Sequence, residues 1–356
     1  MNKFILIGKC FKSSLGGPSE IIRGIEKGLI KQDIKYESLL LSEECGNFKF
    51  VEKLLFNVLT SSDCVINVHT YGFLIPLLIY ICSLLNKRNK YYLTVHGIYA
   101  IDSLYSNNTN PFYVWLEKNI YKRFPNIICV SEMLKKSLKE YFDRDENVFV
   151  IPNGSDATEF CMKEKMGRKK DFIQIIMLGG IKNIKGIYES LELIDYLVKR
   201  KQIHLKYEIY GAIDSETDKL KFTQKVLEKG LQNIVDYKGI VSDKGKIYSI
   251  IQKADFQLCM SQYDTFNVAI AESLILGCPC ITSDKCGAAY LIKVKENGLV
   301  VDMKSKRVFE EIGEYIDSFV RDPDKRQRIL NARVKYEEIL SWDAVCTKYV
   351  ELMKNN

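Results

Sequence analysis

Two carboxylates stand eight positions apart in Ser261-Gln-Tyr-Asp-Thr-Phe-Asn-Val-Ala-Ile-Ala-Glu272. Asp264 falls in a polar turn after the apolar run Phe256-Gln-Leu-Cys-Met, and Glu272 lies just over one turn inside a helix expected over Phe266 to Leu276. At ~1.5 Å rise per helical residue, both acids can face one cleft beside the helix N-terminus. Amides there lack intrahelical partners, and with the positive dipole end they favour a phosphate. This set suits a sugar nucleotide: one acid for the sugar hydroxyls, one for the ribose, and the amides around Phe266, Asn267 and Val268 for a diphosphate. Asp264 could equally be the N-cap of that helix, and the two roles are compatible. Glu272 is flanked by Ala271 and Leu274, where an unpaired carboxylate is costly to bury, so a ligand role is expected for it.

Three other places carry chemistry. Gly16-Gly17 follows the first strand and would let a backbone approach a diphosphate closely, although a Gly-Gly turn can also be only a tight turn. Met177-Leu-Gly-Gly-Ile-Lys-Asn-Ile-Lys-Gly186 leaves a strand and enters a helix, so Lys185, with Lys182 beside it, could meet phosphate oxygens at the helix start. Either lysine could also be a solvated turn residue. Tyr92-Leu-Thr-Val-His-Gly97 ends a buried strand on His96, the edge where ligands sit in open α/β sheets. A core histidine satisfied by backbone groups is the bland alternative. His69 also ends a strand but is a weaker candidate, and His204 sits in a charged, surface-like context.

Positioning these groups takes alternating strands and helices. Strand patterns at 3–8, 34–41, 64–68, 91–95, 127–130 and 148–151 alternate with helical ones such as Pro18–Lys31, Pro111–Lys122 and Glu132–Tyr141. The alternation restarts with strands near 172–178, 205–210, 234–238, 255–259, 278–282 and 298–301. Helices near 185–200, 215–229, 243–253 and 266–276 separate them. Two doubly wound, Rossmann-like parallel-sheet domains facing across a cleft are therefore expected. Their bounds are 1–155 and 171–340, with a lysine-rich linker over 156–170. Tail helices are expected at Lys306–Arg321, Asp324–Ile339 and Ser341–Met353, the last with a serine N-cap. Its stripe Trp342, Val345, Tyr349, Val350 and Met353 needs a partner surface, expected on the first domain for residues 341–356.

The 356 residues, 47% hydrophobic and 27% charged, suit two globular domains. A formal charge of +7, spread over both halves, permits an anionic membrane or substrate but does not argue for nucleic acid. Eleven cysteines, scattered and without a C-x-x-C pair, read as reduced core residues of a cytoplasmic protein. Three histidines and no zinc-like spacing give no metal site. The N-terminal apolar run is too short for a signal peptide. The longest apolar stretch, Phe73 to Leu85, falls short of the ~20 residues that span a bilayer.

The 261–282 segment resembles the signature of GT-B glycosyltransferases of family 4: acid, Phe-Gly turn, a second acid eight residues on, then small-x-Gly-x-Pro and a strand. Lys185-Gly186 matches the family's diphosphate grip, His96-Gly97 its histidine near the transferred sugar, and Ser131-Glu132 and Ile151-Pro-Asn-Gly154 its closing passage. Tyr237-Lys-Gly-Ile240 matches the segment whose backbone reads the nucleobase. The sequence departs from the pattern at Gly180, where the family has arginine, at Asp264, usually glutamate, and at Asn267, usually glycine. Lys182 is the candidate substitute cation. The resemblance implies a retaining, metal-independent and cofactor-free transfer of sugar from a nucleotide diphosphate to a saccharide or lipid-linked saccharide acceptor in cell-envelope polysaccharide synthesis. His96 and Asp264 would be catalytic. Gly16, Gly17, Lys182, Lys185, Ile240, Phe266, Asn267, Val268 and Glu272 would bind the donor. A cytoplasmic location with peripheral contact at the inner face of the plasma membrane goes with it. A sugar-nucleotide epimerase of the same fold and a non-catalytic nucleotide-sugar-binding protein are the alternatives.

Overall fold

The computed structural model describes residues 3–10, 17–41, 47–70, 72–105, 108–160, 171–293, 296–322, 324, 328–329, 331 and 333–355. The chain forms two units, one of residues 1–155 with 339–356 and one of residues 156–338. Gly16 and most of the expected linker, 161–170, lie outside the described residues.

Unit 1 runs β1 Lys3–Lys9, α1 Pro18–Lys31, β2 Tyr36–Leu41, α2 Asn47–Thr60, β3 Cys64–His69, α3 Leu74–Leu85, β4 Lys90–Val95, α4 Tyr99–Tyr105, α5 Pro111–Arg123, β5 Asn126–Cys129, α6 Glu132–Phe142 and β6 Val148–Val150. Its strands form one parallel sheet in the order β2-β1-β3-β4-β5-β6. The residues of β3 are all buried, as expected for a central parallel strand covered on both faces.

Unit 2 contains β7 Ile173–Leu178, α7 Ile187–Lys199, β8 Leu205–Tyr210, α8 Glu216–Glu228, β9 Val235–Gly239, α9 Lys244–Lys253, β10 Phe256–Cys259, α10 Val268–Ile275, β11 Cys280–Ser283, β12 Gly298–Val301 and α11 Val308–Val320. The parallel order is β12-β11-β10-β7-β8-β9. The sheet winds outward in both directions from the β7/β10 pair, and α/β sheets bind ligands beyond the strand ends at such a switch point. The edge strand β9, Val-Asp-Tyr-Lys-Gly, puts Asp236 and Lys238 outside, charges that suit an edge.

Two local expectations are corrected. The helix expected from 185 begins at Ile187, because Asn183–Lys185 is a 3₁₀ turn and Gly186 turns the chain at φ 73°. The helix expected from Phe266 begins at Val268, because Asn267 adopts φ 66° and its side-chain oxygen accepts from the Ile270 amide at 3.1 Å.

After α12 Arg333–Leu340, the last helix, α13 Trp342–Asn355, lies on α1. Ser341 Oγ accepts from the Ala344 amide, the expected N-cap. Trp342, Val345, Cys346, Tyr349 and Val350 are buried in the core of unit 1 with Ile21, Ile22 and Ile25. The close approach depends on two glycines one helical turn apart on α1. A Cβ on Gly24 would meet the Trp342 ring at 1.9 Å, and one on Gly28 would meet Cys346 Sγ at 2.3 Å. Gln32 seals the edge with bonds to the Asp343 carbonyl at 2.8 Å and Thr347 Oγ1 at 3.0 Å.

Candidate functional site

In unit 2 the polar groups gather where β7 and β10 part. Lys185 follows β7 and Asp264 follows β10, and their Nζ–Oδ2 distance is 2.6 Å. Asp264 is 8% exposed. Its Oδ2 also accepts from Asn267 Nδ2 at 2.9 Å, so Asp264 does not cap α10; Asn267 caps it and steadies Asp264 as well. The Asn267 amide also reaches Cys259 Sγ at 3.0 Å. Burial alone would lower the Lys185 pKa, but the charge and hydrogen bond of Asp264 outweigh it and raise the value above normal. Lys185 therefore stays cationic, and an ammonium has three donors, of which Asp264 takes one.

The turn after β7 explains the missing arginine. Gly180 has φ +74°, and a Cβ there would stand 1.9 Å from the Ala212 carbonyl oxygen. No side chain fits without moving the backbone. Lys182 does not join Lys185 on Asp264: its ammonium lies 2.7 Å from Asp214 in the loop after β8. Phe266 is buried, whereas Ile240, just past the end of β9, is exposed. Val268 opens α10, where amides have no intrahelical carbonyl.

Glu272 has its own partners. It is 5% exposed and accepts on Oε1 from Lys244 Nζ at 2.9 Å and Tyr248 OH at 3.2 Å. Sequence reasoning did not single out either residue. The signal available was Asp243, which N-caps α9 through the Lys246 amide and so puts Lys244 and Tyr248 one turn apart on one helix face.

In unit 1, His69 ends β3, His96 directly follows the adjacent β4, and the two meet. His69 Nδ1 and His96 Nε2 are 2.9 Å apart, with ring centroids 5.1 Å apart and planes at 26°. The backbone of His96 is fixed by its N–H donating to Thr70 Oγ1 at 3.1 Å. Burial drives the His96 pKa down to about 4, and burial followed by the charge of His96 drives His69 well below normal. Both rings are neutral at neutral pH, one nitrogen of the contact donating and the other accepting. The Tyr349 ring of α13 stands 6.5 Å from His69. The segment after His96 is anchored by a residue the sequence did not single out. Buried Glu117 accepts from the Tyr99 and Ala100 amides at 2.7 and 2.9 Å, capping α4. Burial raises its pKa to about 7 against the lowering effect of those bonds. Gly17 starts α1 at φ 65°, and His204 is exposed. Among the described residues no group of three His, Cys, Asp or Glu side chains could hold a metal ion.

Two six-stranded parallel sheets, each flanked by helices, with the tail helix returned to the first unit, define the GT-B class. Solved structures agree with the fold. A sucrose-phosphate synthase from Thermosynechococcus elongatus superposes with a TM-score of 0.80 at 15% identity over 100% of this chain and 99% of that one. HepE from Anabaena in complex with UDP superposes with a TM-score of 0.74 at 17% identity over 99% and 100%. The family described as Glycosyl transferases group 1 matches residues 159–335, and Glycosyltransferase Family 4 matches residues 47–159. The chain belongs to these family 4, group 1 glycosyltransferases. Among curated relatives, an Escherichia coli UDP-Gal:alpha-D-GlcNAc-diphosphoundecaprenol alpha-1,3-galactosyltransferase is 25% identical over 68% of this chain and 62% of its own length. A Xanthomonas oryzae GDP-mannose:cellobiosyl-diphosphopolyprenol alpha-mannosyltransferase is 23% identical over 57% and 51%.

Proposed function

We propose that the protein transfers a sugar, with retention of configuration and without a metal, from a nucleotide diphosphate to a lipid-linked saccharide in envelope polysaccharide synthesis. The observation that carries this is the Lys185–Asp264 pair at the β7/β10 switch point, in a chain of this family. Lys185 offers its remaining donors to the diphosphate, and the Val268 amide at the start of α10, ahead of the Ile270 amide that Asn267 caps, adds to them. Charge developing on the departing diphosphate then meets a preorganised cation, the kind of interaction that often dominates catalysis. Asp264, fixed by Asn267, is assigned to the donor sugar and Glu272 to the ribose, a role it shares with Lys244. His96, held neutral, is assigned to polar contact with the sugar. Gly17 and Ile240 are assigned to the diphosphate and the base. The diphosphopolyprenol acceptors in the relatives' names support the lipid-linked class. Such an acceptor calls for contact with the cytoplasmic leaflet.

One observation favours a second reading, nucleotide-sugar binding without transfer: the arginine position is closed by Gly180, and Lys182 is held by Asp214. Incubation with UDP-, GDP-, ADP- and dTDP-sugars and diphosphopolyprenol-linked acceptors separates the two. A glycosylated lipid product supports transfer. Binding of a donor with neither transfer nor hydrolysis supports the second reading.

A further inference from the structure

Helices α3 and α5 of unit 1 expose an apolar and basic face that the proposed transfer does not use. The connections β3–α3–β4 and β4–α5–β5 run the same way along the sheet, and right-handed crossovers put both helices on the same side of it. There they pack against each other. Along α3, Leu74, Ile81, Leu84 and Leu85 recur at helical spacing and are all exposed, Leu85 to 70%. Along α5, Phe112 and Trp115 are exposed one turn apart, their rings stacked at 6.0 Å. Isolated exposed apolar residues are ordinary, but a clustered set on two packed helices marks a contact surface.

The charges beside it select the partner. Residues 74–90 and 111–123 carry six basic side chains, Lys87, Arg88, Lys90, Lys118, Lys122 and Arg123, all exposed. The only carboxylate in these two segments, Glu117, is buried as the α4 cap. Around the face, Asp143 lies 4.0 Å from Lys122, and Asp102 is exposed on α4. Leucine, phenylalanine and tryptophan ringed by lysine and arginine match an anionic headgroup layer over an apolar interior. At 12 residues, α3 is about 18 Å long and cannot span a core of about 30 Å, so it would lie in the interface plane.

We propose that the α3/α5 face seats the protein on an anionic phospholipid bilayer, with Trp115 and Leu85 entering the headgroup boundary and Lys118, Lys122 and Arg123 meeting the lipid phosphates. This deepens the lipid-linked acceptor assignment by naming the surface, and it is measured without donor or acceptor, so its failure and the failure of transfer are distinguishable.

The chain has two tryptophans, exposed Trp115 and buried Trp342, so emission reports on the face directly. Full-length protein is mixed with vesicles of phosphatidylcholine alone or with phosphatidylglycerol, and bound protein is measured by flotation. The expected result is binding to the anionic vesicles only, with a blue shift of Trp115 emission. Lys122→Glu/Arg123→Glu and Leu84→Ser/Leu85→Ser should each lower the partition coefficient by at least about tenfold while circular dichroism and nucleotide binding are unchanged. Absence of binding to anionic vesicles overturns the proposal. So does binding without a Trp115 shift, binding that both double variants retain, or a face found instead to join two copies, shown by a dimer that the leucine variant dissociates.

Discussion

Acidification from about pH 7 to about pH 5 sets the half-buried His96 and the buried Glu117 of unit 1 against each other. The folded-state pKa of His96 is lowered from 6.5 to about 4, so its contribution is present above 6.5 and lost as pH falls toward 4. At about pH 5 the unfolded imidazole is charged and the folded one neutral, a loss of about 2 kcal/mol at ~1.4 kcal/mol per pKa unit. His69 moves in the same direction. Glu117 opposes them: its folded pKa is raised from 4.5 to about 7, so it destabilises increasingly as pH rises through that window. On acidification to about pH 5 it returns about 2 kcal/mol. Wild-type unit 1 therefore declines only by roughly the share of His69. Glu117→Gln removes the compensation and should lose about 2 kcal/mol more than wild type over the same range, whereas His96→Gln should lose about 2 kcal/mol less. Both tryptophans lie in unit 1, and Trp342 is 6% exposed, so urea unfolding followed by tryptophan emission reports this unit. If the three proteins keep parallel stability–pH curves between about pH 5 and pH 7, the linkage at His96 and Glu117 is refuted.

Gly180→Arg, although it restores the family pattern, should destabilise unit 2 by about 2 kcal/mol or more, through the positive φ and the clash with Ala212; a melting temperature equal to wild type would show that the turn can move. Gly24→Val should displace Trp342 and cost about 3 kcal/mol, read as lost burial of Trp342 emission; unchanged emission and stability would contradict the close packing of α13. Glu272→Gln weakens its bond to Lys244 while keeping the shape, and calorimetry should show nucleotide affinity reduced about tenfold for loss of a charge-assisted bond; unchanged affinity ends the ribose assignment.

The sheets could be read from the sequence because their strands are short apolar runs buried on both faces, as in Cys64–Val68, and runs of that kind have few other uses. Helix α3 was visible only as an apolar stretch too short for a membrane. With apolar residues all round and Pro76 inside, its amphipathic side is defined only by which leucines the sheet covers. The tail stripe was legible because four of its five members recur at helical spacing and need a core, but their seat on Gly24 and Gly28 depends on a partner some three hundred residues away. The site was half legible. Lys185 and Asp264 each sit in a recognisable turn, yet their pairing follows from β7 lying beside β10, which only the strand order reveals. His69 and His96 belonged together once β3 and β4 were neighbours, since the register pairs His69 with Thr94. Lys244 on Glu272 had only the Asp243 cap as a cue, which places it on α9 but not against α10, and a lysine at the start of a helix is usually solvated. The absent arginine reads as a loss in the sequence and as a backbone requirement in the fold.

The proposed transfer rests on the grip of Lys185 on the diphosphate of the donor. That grip is tested most directly by titration calorimetry of wild type, Lys185→Ala and Lys182→Ala with UDP, GDP, ADP and dTDP and with the matching nucleosides. One diphosphate is expected to bind the wild type, and Lys185→Ala to weaken it by roughly ten- to a hundredfold, the loss of a charge-assisted contact, while the nucleoside is almost unaffected. Lys182→Ala should do less, because Asp214 already holds that ammonium. Equal losses for nucleoside and diphosphate in Lys185→Ala, or no loss of diphosphate affinity, would contradict that grip.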